Sequence, residues 1–167
     1  MTAPGQGIHF MRELDRLVAF VLDDQRYALH LSAVERIVRM VEITPLPKAP
    51  GIVKGVINLQ GLVIPVFNIR KRFGLEEREP DLSDHLIIAK TSRRTAGLFV
   101  DEVLGMVDRE ASEVVPSEKI LPGIKYVDGV MKLEDGMILI HDLELFLSLD
   151  EEKTLDEAMG NPLVVES

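Results

Sequence analysis

From Leu17 to Leu22 the chain reads LVAFVL, an unbroken apolar run, and after Asp23, Asp24 and Gln25 the segment YALHL from Tyr27 alternates. Two such runs on either side of a short polar turn predict a β-hairpin. Ser32, followed by Ala33, Val34, Glu35, Arg36 and Ile37, predicts a short capped helix with Val34 and Ile37 three apart on one face. Val38 to Ile43 returns to strand-like alternation. Pro45, Pro47 and Pro50 then break the pattern in a loop, and a helical turn is expected to follow, ending near Gly55. Val56 to Leu59 and Leu62 to Phe67 are β-branched apolar runs joined at Gln60 and Gly61, where a tight reversal fits. Ile69 to Phe73 reads as one helical turn closed by Gly74.

The stretch 76–84, EEREPDLSD, is the most polar of the interior and contains a proline, which makes it the best linker candidate. Beyond it, strands are expected at His85 to Lys90 and Ala96 to Val100, with Thr91 to Arg94 as the turn, and a short element at Val103 to Val107. Asp108 to Gly123 has no assignable pattern. Val130 to Leu133 and Met137 to Ile140 flank Glu134, Asp135 and Gly136, a hairpin signal, and Asp142 is placed to cap a last turn from Leu143 to Leu147.

An internal repeat ties these elements together. PGIVKGVINLQGLVIPVFNI from Pro50 lies over PGIKYVDGVMKLEDGMILIHDL from Pro122. Pro50, Gly51 and Ile52 match Pro122, Gly123 and Ile124 at an offset of 72; Gly55 and Val56 match Gly129 and Val130 at 74; Gly61 matches Gly136 at 75. A unit of roughly 65 residues buries too little surface to be robust alone, so two similar β units sharing one apolar junction are expected. They divide as about 15–75 and 84–149 within one domain spanning 15–149, preceded by a tail, 1–14, and followed by an acidic tail, 150–167. That last segment carries Leu155, Ala158 and Met159 before Gly160 and Pro162, enough for one docking turn or for a frayed end.

With 167 residues, 46% hydrophobic and 28% charged, the chain has the makings of a globular domain. It has no cysteine, which removes disulfides, thiolate metal sites and cysteine nucleophiles. The N-terminus lacks the basic-then-apolar order of a secretory signal, and no window approaches 18 uninterrupted apolar residues, so a soluble cytoplasmic protein is expected. The net charge of −9 argues against nucleic-acid binding. The charge is uneven: residues 1–75 hold 10 basic and 6 acidic side chains, +4, and residues 76–167 hold 9 and 22, −13.

Catalytic apparatus is not visible. His9, His30, His85 and His141 are scattered without the three- or four-residue spacing of a helical metal site, so no metal and no cofactor is expected. Asp101 and Glu102 are adjacent on a strand, point to opposite faces and read as a solvated strand end. There is no GxSxG, P-loop or GxGxxG. The cluster Arg70, Lys71, Arg72, with Lys90, Arg93 and Arg94, lacks aromatic interleaving and reads as a solvated face or a protein-contact rim. Apolar strand runs exceed what one buried face needs, which points to a binding protein.

YALHLSAVERIV (Tyr27 to Val38), PGIVKGVINLQGLVIPVFNIRKRFGL (Pro50 to Leu75), AGLFVDEVLGMV (Ala96 to Val107) and MILIHDLELFLS (Met137 to Ser148) together resemble the CheW family of bacterial chemotaxis coupling proteins, from about Leu17 to Leu149. The resemblance implies a mainly β fold of two packed five-stranded Src-homology-3-like barrels with short helices. It also implies a cytoplasmic, non-enzymatic adaptor, recruited to membrane receptor arrays, whose partners are the regulatory domain of the histidine kinase CheA and the cytoplasmic tip of methyl-accepting chemotaxis receptors.

Carried over by position, Val34, Ile37, Leu59, Gln60 and Gly61 match the family's receptor-binding groove, with Arg36 beside them; Pro45, Pro47, Pro50 and Gly55 match its kinase-binding side. The family usually reads Val-x-Glu and Asn-Leu-Arg-Gly, where this chain has Val34, Glu35, Arg36 and Asn58, Leu59, Gln60, Gly61. Both members of an ion pair are replaced, and Arg36 with Gln60 is expected to form a rebuilt pair tuned to a particular receptor class. Two rivals stand beside this reading: a CheW-like adaptor of a non-motility receptor-kinase pathway, and a small β-barrel enzyme or ligand-binding domain.

Overall fold

A computed structural model describes residues 14–110, 114–116 and 126–166. Residues 1–13, the Pro122 to Ile124 limb of the repeat and most of the 108–123 connection lie outside the described residues. Eleven strands are described: β1 (Leu14–Leu22), β2 (Gln25–His30), β3 (Val34–Arg39), β4 (Val53–Leu59), β5 (Leu62–Phe67), β6 (His85–Lys90), β7 (Thr95–Val100), β8 (Glu102–Glu110), β9 (Val114–Pro116), β10 (Val127–Leu133) and β11 (Gly136–His141). Helix α1 is Ile69–Arg72 and α2 is Leu149–Glu166; single 3-10 turns cover Leu31–Ala33 and Leu143–Leu145.

The described residues form two compact units, one reaching to Val34 and resuming at Glu102–Asp142, the other comprising Glu35–Asp101 and the residues from Leu143 onward. The first unit is a six-stranded sheet in the order β8-β1-β2-β11-β10-β9, one strand more than expected, because three residues of β9 pair with β10. Its β1–β2 and β10–β11 hairpins are antiparallel, and β2 runs parallel to β11. One face gathers Leu17, Ala19, Ala28, Met131, Ile138 and Ile140. Val18, Phe20 and Leu22, on the alternate face of β1, are buried as well, which accounts for the unbroken LVAFVL run.

The second unit is a five-stranded sheet in the order β3-β6-β7-β5-β4 around Met40, Ile57, Ile64, Val66, Leu86, Ile88 and Phe99. Its edges are joined. Past β3, the Met40 N–H donates to the Asp84 carbonyl, and Thr44 then exchanges two backbone hydrogen bonds with Val56 on β4, at 2.8 and 2.7 Å. The chain leaving one edge strand thus closes on the other.

Element by element, the two sheets are copies. β8-β1-β2-β11-β10 corresponds to β3-β6-β7-β5-β4, with β9 on β10 in the place of Thr44 on Val56. The duplication expected from the sequence is therefore present, but the units do not follow the boundaries 15–75 and 84–149. The tandem copies β1–β5 and β6–β11 exchange their leading hairpins, so β1–β2 completes the sheet of β8–β11 and β6–β7 completes the sheet of β3–β5. Strand pairing is decided by long-range contacts that no local pattern records.

The repeated glycines explain one feature of both copies. At Gly55 the β4–β5 register slips between Val53 and Gly55, and at Gly129 the β10–β11 register slips between Val127 and Gly129. A Cβ on Gly55 would lie 2.3 Å from the Thr44 carbonyl oxygen, and one on Gly129 would lie 2.7 Å from Val114 Cγ1 and 3.2 Å from the Val115 oxygen. Each bulge needs a bare backbone because the closing segment crosses against it. Gly55→Ala, at a backbone φ of +154°, is expected to lower stability by about 2 kcal/mol through this clash and strain, read as a drop in the urea midpoint at unchanged slope.

Several local expectations change. The helix predicted from Ser32 to Ile37 is a single 3-10 turn, Leu31–Ala33, followed by strand β3. β-branched Val34, Ile37 and Val38 suit a pleated strand, and the three-residue spacing of Val34 and Ile37 was a coincidence of period. No helical turn precedes Gly55, since β4 begins at Val53. The 76–84 stretch is not a linker: Arg78 donates to both oxygens of Asp84 at 2.7 and 2.8 Å, the Asp81 N–H donates to Asp84 at 2.7 Å, and the Arg78 guanidinium lies over the Phe99 ring. At the other end, the acidic tail forms α2, opened by a reciprocal capping box: the Glu151 N–H donates to Ser148 Oγ and the Ser148 N–H to Glu151 Oε1. Leu155 and Ala158 bury one face of α2.

Candidate functional site

Strand alternation decides which residues gather at the end of the second sheet. Val38, Ile57 with Leu59, and Ile64 all pack on the core of that unit, so Arg36, Leu59 and Leu62, each two residues from one of these along its strand, lie on the inward side where the core opens. The β4–β5 turn has two residues, Gln60 at φ +55° and Gly61 at φ +88°, the pattern of a type I′ reversal. Asn58 Oδ1 accepts the Gly61 N–H at 2.8 Å and fixes the tip. From that tip Gln60 Oε1 accepts a 3.4 Å hydrogen bond from Arg36 Nη2, a long contact between two exposed side chains.

The structure therefore brings Arg36, Leu59, Gln60 and Gly61 together. It does not place Val34 and Ile37 on one face: they are three apart on a strand, so Val34 shares the side of Arg36 and Ile37, 40% exposed, points the other way. Leu62, 58% exposed and directly paired with Leu59, belongs to the same opening and was not singled out from the sequence. Its signal was the two-residue turn itself, which sets Leu59 and Leu62 opposite one another.

Pro45 and Pro47 are exposed and Pro50 half-buried on the segment that follows the Thr44 bridge, with Lys48 at φ +67°. Gly55, in contrast, is buried beneath Thr44, where it holds the segment's start in place. Beside this segment lies an open cavity of about 470 Å³ bounded by Met40, Ile43, Pro45, Lys54, Pro80 and Leu82, with Lys54 and Glu79 3.7 Å apart.

Other candidate chemistry takes structural roles. Asp101 is no solvated strand end: it accepts from buried Arg70 and, at 2.5 Å, from Arg78. The basic cluster is likewise not a solvated face throughout, since Arg72 pairs with Glu151 at 2.5 Å and Arg94 with Glu152 at 2.8 Å and with Asp156. Lys71, Lys90 and Arg93 remain exposed. His141 is 1% exposed at the end of β11, and burial pushes its pKa down to about 3. Among the described residues no three of His, Asp and Glu are grouped to hold a metal ion, and no helix is long and apolar enough to cross a membrane.

Comparison with known proteins assigns this architecture. A family model described as the CheW-like domain matches residues 16–151. The chain belongs to the CheW-like family. It is 31% identical over 139 residues to the chemotaxis protein CheW of Rhizobium meliloti (strain 1021), covering 82% of this chain and 90% of the relative. It is 29% identical over 143 residues to the chemotaxis protein CheW of Thermotoga maritima, covering 86% and 92%. Among solved structures, the scaffolding protein CheW of Thermoanaerobacter tengcongensis superposes with a TM-score of 0.73 at 30% identity, covering 82% of this chain and 94% of that one. The CheW-like match spans both sheets and the three crossings between them, so the exchanged hairpins lie inside the family's own domain.

Proposed function

We propose that the chain is a non-enzymatic chemotaxis adaptor that couples the cytoplasmic tip of methyl-accepting receptors to the histidine kinase CheA, working in the cytoplasm at membrane receptor arrays. The observation that carries this reading is membership of the CheW-like family over 16–151, in which relatives are named chemotaxis and scaffolding proteins. The opening formed by Arg36, Leu59, Gln60 and Leu62 is the receptor-facing surface. A helical receptor hairpin lays apolar side chains against the two leucines. Pro45, Pro47 and Pro50, held by the Thr44 bridge over Gly55, form the kinase-facing surface. Each contact tolerates modest affinity because an array multiplies valency and local concentration.

NMR titration of the labelled full chain with an unlabelled kinase regulatory domain and, separately, a receptor-tip fragment from the same genome tests both surfaces. Amides of Arg36, Gln60 and Leu62 are expected to shift with the receptor fragment, and those between Thr44 and Gly51 with the kinase domain. If neither partner moves any peak at millimolar concentration, the coupling function is wrong for this chain and only the fold stands.

A further inference from the structure

The opening at the end of the second sheet carries one cation in an apolar setting. Arg36 is exposed, and among the described residues it forms no ion pair; its hydrogen-bond partner is Gln60, which is neutral and reached only at 3.4 Å. Leu59 and the well-exposed Leu62 lie on the same side. Glu35 and Ile37, the neighbours of Arg36 in sequence, point to the opposite side of β3 and cannot neutralise it from their own strand. By contrast, Arg70, Arg72, Arg78 and Arg94 in the same unit are each bound to a carboxylate of this chain.

A partner that covers Leu59 and Leu62 also strips water from the Arg36 guanidinium. A guanidinium desolvated without a counter-charge is costly, whereas one met by a carboxylate recovers that cost with a directional, bidentate contact. A single unpaired cation in an apolar opening therefore rejects neutral or basic partners as strongly as it selects acidic ones.

We propose that this opening is charge-selective: it binds an amphipathic helix whose apolar stripe is interrupted by one Asp or Glu, and Arg36 is the residue that reads that carboxylate. Gln60 steers the guanidinium by accepting one of its N–H groups and leaves the remaining donors for the partner. The proposal rests on the receptor reading above and adds the chemistry by which one receptor tip is preferred over another.

The test uses the labelled full chain and the receptor-tip fragment, with affinities measured at 50 and 300 mM salt for wild type, Arg36→Ala, Arg36→Glu and Lys90→Glu. Lys90 is an exposed lysine at the end of β6, so its variant makes the same change of net charge elsewhere. Arg36→Ala is expected to weaken binding about tenfold and Arg36→Glu about a hundredfold at the lower salt, with the differences narrowing at the higher one. Lys90→Glu is expected to leave affinity within about twofold. Changing the fragment's interrupting acid to Arg is expected to restore binding to the Arg36→Glu variant. If Arg36→Glu binds the unmodified fragment as tightly as wild type, the charge reading falls while the receptor surface stands. If wild type itself binds no fragment at millimolar concentration, both readings fall together.

Discussion

Asp101→Asn is expected to cost about 3–5 kcal/mol, the loss seen when one partner of a buried ion pair is removed and the other stays. Arg70, with a side chain only 2% exposed, has Asp101 as its counter-charge, and it also donates to the Glu76 carbonyl at 3.3 Å. Arg78 shares the same carboxylate, and its guanidinium holds its proton more firmly than usual, first through the Asp84 hydrogen bond and then, against the cost of burial, through Asp101. Asparagine keeps the shape of aspartate and removes the charge, so the loss reports electrostatics and not packing. Urea unfolding at pH 7 measures it. Because domains of this size hold only about 5–15 kcal/mol in total, a variant that does not fold is itself within the expected range. The double variant Arg70→Met with Asp101→Leu then decides the matter. With both charges gone it is expected to recover most of the loss, and if it is as unstable as Asp101→Asn, the pair is not the cause.

Acid is the second large perturbation. Burial lowers the pKa of His141 to about 3, against about 6.5 for an unperturbed imidazole. Between those values the unfolded chain binds a proton that the folded chain does not, so stability is full above about pH 6.5 and declines as pH falls toward 3. The slope for one proton is about 1.4 kcal/mol per pH unit, which makes about 2 kcal/mol between pH 6.5 and 5. His141→Leu is expected to abolish this portion of the pH dependence, seen as urea midpoints that stay level between pH 6.5 and 5. An equally steep decline in the variant would assign the proton uptake to another group.

The local grammar of the fold was readable, and its long-range pairing was not. The β4–β5 hairpin announces itself through two β-branched runs and the Gln60-Gly61 turn, and α1 through Asn68 before it and Gly74 after it. Helix α2 went unread beyond one docking turn or a frayed end, although Ser148 and Glu151 stand at the capping-box spacing. The exchange of hairpins left no local trace: β2 meets β11 through pairs such as Ala28 with Ile140. Asp101 hid its role for the same reason, since its partner Arg70 lies thirty-one residues away in the chain. The candidate site was half legible. Leu59, Gln60 and Gly61 sit on a turn that sequence defines, while the grouping of Val34 with Ile37 failed because it borrowed a helical period for a residue pair that belongs to a strand.

Synthesis proceeds from the N-terminus, and the crossing of the chain between the two sheets makes that order matter. Hairpin β1–β2 leaves the ribosome ahead of the other described strands, yet every other strand of its sheet follows Asp101. The strands of the second sheet, all within Val34–Val100, are complete earlier. At about 5–20 residues per second, the oldest hairpin waits several seconds with its edges open while the younger sheet closes. Val18, Phe20 and Leu22, buried in the finished protein, are exposed for that interval, which makes hairpin β1–β2 the stretch of the two sheets most in need of a chaperone during translation.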